Sequence, residues 1–136
     1  MVPQRKRAAR SVCAASSVAP RLGRNGRVIT SVVVTYQVRP QAVAEHVRLI
    51  EAVFEQLRTE RPAGVLDYQV RCLDDGVSFV HVSTADTPGG SNPLTDLAAF
   101  QAFGRDSSAR VATTPVPRPA TVIGYYYAAA QLPETP

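Results

Sequence analysis

The stretch VLDYQVRCLDDGVSFVHVS, residues 65–83, sets two runs of β-formers on either side of Asp74-Asp75-Gly76. In the first run Leu66, Tyr68, Val70 and Cys72 alternate with Asp67, Gln69 and Arg71, the period-2 pattern of a strand with one apolar and one more polar face. The acidic turn reverses the chain and VSFVHVS returns, so the stretch predicts a β-hairpin. Two turns are compatible with these residues. If Asp75-Gly76 forms a two-residue type I′ turn, Asp74 faces Val77 and His81 falls opposite Val70, on the face of Leu66, Tyr68 and Cys72. If Asp74-Asp75-Gly76 is a three-residue loop with Gly76 left-handed, Leu73 faces Val77 and His81 falls opposite Gln69, on the other face. In either register Phe79 shares the face of His81, because side chains two apart in a strand project together.

Upstream, RVITSVVVTYQV (27–38) carries apolar side chains on both alternating faces, which predicts a central strand covered on both sides. Pro40 ends it, since proline lacks the amide a ladder needs and suits a helix's first turn. From Gln41 to about Thr59 the residues Val43, Val47, Ile50, Phe54 and Leu57 recur at helical spacing, with charged residues off that stripe. His46 sits beside the stripe and reads as a boundary residue. RPAG (61–64) closes the helix. Downstream, Asn92-Pro93 reads as an N-cap and first helical residue. PLTDLAAFQAFGRDSSARV (93–111) then predicts a second helix burying Leu94, Leu97, Phe100 and Phe103. Pro115, Pro117 and Pro119 form an extended connector, which leads to ATVIGYYYAAA (120–130) as the fourth strand. The order β-α-β-β-α-β predicts a ferredoxin-like α+β fold with a four-stranded antiparallel sheet.

The composition limits the function classes. At 136 residues and 45% hydrophobic, the chain holds one domain with a real core. The net charge of +4 is uneven: residues 1–27 carry seven of the 15 basic residues and no acid. The remaining eight basic residues stand against all 11 acidic ones, so the body is mildly acidic and offers no basic nucleic-acid face. Residues 1–27 are read as a disordered basic tail, 28–128 as the folded domain and 129–136 as a C-terminal tail. No apolar run approaches a membrane span. Cys13 and Cys72 have neither paired nor C-x-x-C spacing, which predicts no disulfide framework or zinc site and fits a cytoplasmic setting.

Several segments together carry a family resemblance: VTYQVRP (34–40), VRLIEAVFEQLR (47–58), YQVRCLDDGVSFVHV (68–82), NPLTDLAAFQAF (92–103) and VIGYYY (122–127). Their pattern resembles the antibiotic biosynthesis monooxygenase domain of the dimeric α+β barrel superfamily, over about residues 28–127. The resemblance implies a homodimer in which two ferredoxin-like sheets share a barrel with the helices outside. It also implies oxidation of quinols or polycyclic aromatics by molecular oxygen with no cofactor. Haem-degrading members of the superfamily use an axial histidine on the second helix; residues 93–111 contain none. Other members have no established activity, and fold does not determine function.

A cofactor-free oxygenase needs a base to generate an electron-rich anion and polar groups to hold the ring. Histidine suits the first task, with its ordinary pKa of ~6.5, and tyrosine and asparagine suit the second. His81 is therefore the candidate base. Tyr36, Tyr68, Phe79, Asn92, Tyr125 and Tyr127 are the candidate substrate contacts, the last two sharing one face of the predicted final strand. The competing reading is a non-catalytic dimeric ligand-binding or structural module, with His81 packed in the core, the tyrosines as rim packing and Asn92 as a helix cap. No phosphate loop, metal cluster or nucleophile motif is present in the sequence.

Overall fold

The computed structural model describes residues 21–22, 28–126 and 128. Its central element is β2 (Val28–Gln37), paired along its whole length with β4 (Ser78–Thr87), which pairs in turn with β3 (Val65–Cys72). On its other edge β2 carries the two-residue strand β1 (Arg21–Leu22) beside Val28-Ile29 and β5 (Val116–Ala120) beside Ser31–Thr35. All pairings are antiparallel. Leaving β1 aside, the order β5-β2-β4-β3 is that of the expected ferredoxin-like sheet. The rest of the basic tail, residues 1–20 and 23–27, and the C-terminal residues 129–136 lie outside the described residues.

Helix α1 (Val43–Glu60) begins after a single 3-10 turn at Pro40–Ala42, where proline fixes the first φ without leaving an amide unpaired. It ends at Arg61, left-handed at φ 45°, whose amide donates to the Leu57 carbonyl at 2.9 Å. His46, Ile50 and Val53 form its fully buried row. Ile50 joins Tyr36, Val38 and Phe79 in one core cluster; Val53 joins Leu94 and Leu97 in a second. Each such aliphatic burial contributes ~1.5–3 kcal/mol.

Two expected elements differ. The segment read as one second helix is three short pieces: a 3-10 turn (Pro93–Asp96), α2 (Ala98–Gly104) and a single turn, α3 (Ser107–Arg110). Leu97 and Arg105 are extended and Asp106 is left-handed at φ 58°. Gly104 disfavours helix, and Asp is among the residues that tolerate the left-handed region, so the chain breaks there. The fourth strand is likewise not ATVIGYYYAAA. Residues 121–126 have no regular structure, Tyr127 lies outside the described residues, and the strand is the proline-rich VPRPA of 116–120. Pro117 and Pro119 alternate, so the amides of Val116, Arg118 and Ala120 remain for the ladder with β2, an arrangement open to an edge strand.

Alternation sends Val34 and Tyr36 of β2, Phe79 and His81 of β4 and Tyr68 and Val70 of β3 to the helix side of the sheet. Val33, Val80 and Val82 fall on the opposite side, half-buried. No helix among the described residues is long and apolar enough to cross a membrane.

The α1–β3 connection depends on Gly64, at φ +96°, whose carbonyl accepts from the Asp86 amide at 2.7 Å. A β-carbon there would lie 2.7 Å from Thr87 Cγ2 and 3.0 Å from the Asp86 carbonyl oxygen. Gly64→Ala is expected to lower unfolding free energy by ~1–3 kcal/mol, combining backbone strain with a steric clash, as read from the urea midpoint.

Candidate active site

The hairpin register decides where His81 points. Val70 pairs with His81 and Cys72 with Phe79, so Asp74 is aligned with Val77, the register of the two-residue alternative. The loop itself is built differently. Leu73 donates its amide to the Ser78 carbonyl at 2.8 Å, Gly76 at φ 77° donates to the Leu73 carbonyl at 3.0 Å, and Asp75 Oδ1 accepts from the Val77 and Ser78 amides at 2.9 and 2.8 Å. The side-chain carboxylate thus substitutes for missing ladder bonds in a four-residue loop. A β-bulge between Val65 and Asp67 changes the other end of β3: Val65 packs inward, and Leu66, expected on the His81 face, is 52% exposed.

His81 therefore faces the helices, where a continuous row of polar rings crosses the core. Tyr68 Oη lies 2.8 Å from His81 Nδ1, and His81 Nε2 lies 2.6 Å from Tyr36 Oη. The same Tyr36 oxygen lies 2.6 Å from His46 Nε2, and Arg110 Nε donates to His46 Nδ1 at 3.2 Å. Arg110 further donates to the Arg105 carbonyl at 3.1 Å and to the Phe103 carbonyl, and its guanidinium lies over the Phe103 ring. Phe79 stacks on Tyr36 with ring centres 5.9 Å apart and meets His46 edge-on at 4.9 Å; Phe103 contacts both histidine rings.

Burial sets the protonation states. It pushes His81 down to about 4, with His46 adding to the effect, and pushes His46 down to about 4, with the Arg110 charge adding. It pushes both phenols up; Arg110 opposes this at Tyr36, whereas Tyr36 reinforces it at Tyr68. At neutral pH all four rings are uncharged.

Of the expected residues, Tyr36, Tyr68, Phe79 and His81 come together. Asn92 does not join them: its Oδ1 accepts from the Leu94 amide at 3.0 Å as a helix cap, and its Nδ2 reaches Ser83 Oγ at 3.3 Å. Tyr125 is half exposed in the irregular segment beyond β5, away from the other four, and Tyr127 lies outside the described residues. His46 and Arg110 were not anticipated as site residues. His46, read as a boundary residue beside the apolar stripe, is instead fully buried, and its spacing of four from Ile50 is only a weak signal of this; Arg110 had no signal, because its burial depends on the break before α3.

An open groove of about 330 Å³ lies at the C-terminal end of α1, walled by Phe54, Leu57, Arg58, Arg61, Leu66 and Tyr68, among others. Phe54 stacks on Tyr68 at 5.0 Å. His81, 7% exposed with both nitrogens engaged, is not in the groove wall. Tyr68 is the residue common to the groove and the row. Among the described residues no group of three or more His, Cys, Asp or Glu converges as a metal ion requires.

The sequence matches no family model and no curated protein. Solved structures do match. A candidate antibiotic biosynthesis monooxygenase from Bacteroides thetaiotaomicron superposes with a TM-score of 0.64 at 12% identity, over 74% of this chain and 96% of that one. One from Caulobacter crescentus gives 0.60 at 19% identity, over 73% and 93%. A further structure named as an antibiotic biosynthesis monooxygenase gives 0.59 at 14% identity, over 70% and 99%. The chain shares the fold of these proteins. The expected resemblance thus holds at the level of architecture.

Two measurements test the row. Tyr36→Phe keeps the ring but leaves two imidazole nitrogens without a bridge in the core, and is expected to cost ~1–3 kcal/mol in urea unfolding. Both histidines have folded pKa values of about 4, below the ordinary ~6.5, so the unfolded chain binds more protons between these values. Their contribution to stability should be complete above about pH 6.5 and lost as pH falls toward 4. The urea midpoint should drop between pH 7.5 and 5.

Proposed function

We propose that the protein is a cofactor-independent monooxygenase acting on a small aromatic or quinol-type substrate, as a homodimer in a reducing, cytoplasmic setting. The observation that carries this reading is the row Tyr68–His81–Tyr36–His46, four titratable rings between sheet and helices, three of them buried and the fourth, Tyr68, half-buried where it belongs to a groove wall. Burying polar rings costs free energy unless they are paired, and here the chain of pairing runs out to the groove through Tyr68. The shared fold with candidate antibiotic biosynthesis monooxygenases supports it.

In this reading the substrate ring lies against Phe54 and Tyr68, and its phenolic oxygen accepts a hydrogen bond from the Tyr68 hydroxyl. Burial keeps the proton on Tyr68, so it serves as a donor. Stabilising the substrate's oxyanion eases electron donation to molecular oxygen. The released proton passes to water through the open groove. His81, expected as the base, then acts on the substrate through Tyr68 and is a positioning residue.

The packing of His81 favours a second reading, a non-catalytic dimeric ligand-binding module of the same fold. Oxygen uptake with a panel of quinols and hydroxylated polycyclic aromatics separates the two. The oxygenase should consume oxygen, with kcat/KM reduced ~10²-fold in Tyr68→Phe, on the scale of losing one oxyanion donor, and unchanged in Tyr126→Phe on the exposed C-terminal segment. Binding of the same compounds without uptake would leave the binding module. A monomer by sedimentation would remove the dimer from both readings.

A further inference from the structure

We propose that Arg110 is a positioning residue that sets the direction of every hydrogen bond in the buried row, so that His46 carries its proton on Nε2, His81 carries its proton on Nδ1, and the Tyr68 hydroxyl proton is left over for a ligand.

The direction follows from donor inventory alone. A guanidinium has N–H groups and no acceptor, so the contact between Arg110 Nε and His46 Nδ1 can only run from arginine to histidine. His46 Nδ1 must then present its lone pair, and the neutral ring holds its single proton on Nε2. That N–H donates to Tyr36 Oη at 2.6 Å. With this proton coming from His46, the Tyr36 hydroxyl turns its own proton to its other neighbour, His81 Nε2, also at 2.6 Å. His81 Nε2 is thereby an acceptor, and its proton sits on Nδ1, donating to Tyr68 Oη at 2.8 Å. Tyr68 closes the row as an acceptor with its O–H unspent. Without Arg110 the row could run equally well in reverse, ending with an unspent proton on His46 Nδ1 and the Tyr68 proton consumed by His81.

Arg110 is suited to this task because its other nitrogens are occupied. Bonds to the carbonyls of Arg105 and Phe103 and the contact with the Phe103 ring hold the guanidinium at the row's end. The break at Asp106 that turns α3 places it there. Only the catalytic use of the polarity, a Tyr68 donor aimed at substrate oxygen, rests on the oxygenase reading.

The chain has two histidines, so their ring nitrogens can be observed without crowding. Long-range nitrogen-15 to proton correlation spectra of the uniformly labelled full chain near neutral pH report the tautomer of each. Contacts of one ring to Phe79 and of the other to Tyr68 assign them. The expected result is opposite tautomers, Nε2–H at His46 and Nδ1–H at His81. The same tautomer in both rings, the two reversed, or an exchange average at either overturns the proposal. In Arg110→Leu the single tautomers should give way to a mixture; a folded variant that keeps both unchanged overturns the role of Arg110, and if it does not fold the wild-type spectrum still decides the polarity. Expected tautomers without oxygen uptake would leave the polarity standing and remove the oxygenase reading. Uptake with other tautomers would do the reverse.

Discussion

Tyr36 Oη lies 2.6 Å from His46 Nε2 and 2.6 Å from His81 Nε2, joining the first long helix to the two central strands through one oxygen. A phenol is suited to this because its oxygen can accept one hydrogen bond while donating another. Remove either contact and one buried ring nitrogen loses its partner, although His46 keeps Arg110 and His81 keeps Tyr68. The row therefore couples helix placement, strand register and protonation: His46 must be on the buried side of α1, His81 must face the helices, and neither can be charged without a desolvation cost.

Two departures from regular structure serve this arrangement. The β-bulge at Val65–Asp67 turns Val65 into the core in place of Leu66, keeping the apolar wall continuous below Tyr68 while leaving Leu66 at the groove. The break between α2 and α3 lets Phe103 pack on both histidines while Arg110 returns to cap the row. A single straight helix through 93–111 would separate the two residues along its axis, at 1.5 Å per residue. In the folded chain the Arg110 guanidinium instead lies over the Phe103 ring and bonds its carbonyl.

The edge formed by β5 illustrates how sequence signals and tertiary structure part. Proline removes one donor, which excludes helix and argues against a central strand. It does not exclude an edge strand when the prolines alternate. The aromatic run at 125–127 is a stronger local β signal than VPRPA, yet it is the latter that pairs with Ser31–Thr35. Which segment reaches the edge depends on how far the chain has travelled from α3, and no local propensity records that.

Read from the residues alone, the chain specified its hairpin, the central strand 28–37, the amphipathic first helix, the Asn92 cap and the ferredoxin-like order, because these rest on periodicities and cap chemistry local in sequence. His81, Tyr36, Tyr68 and Phe79 were also legible, as polar or aromatic members of apolar faces. Tertiary structure decided the hairpin loop, the facing of His81, the bulge that turned Leu66 outward, the entry of His46 and the whole contribution of Arg110. The reason is physical. A one-residue change of register moves a side chain to the opposite face of a sheet, and a buried arginine is compatible with its surroundings only when distant carbonyls and rings converge on it.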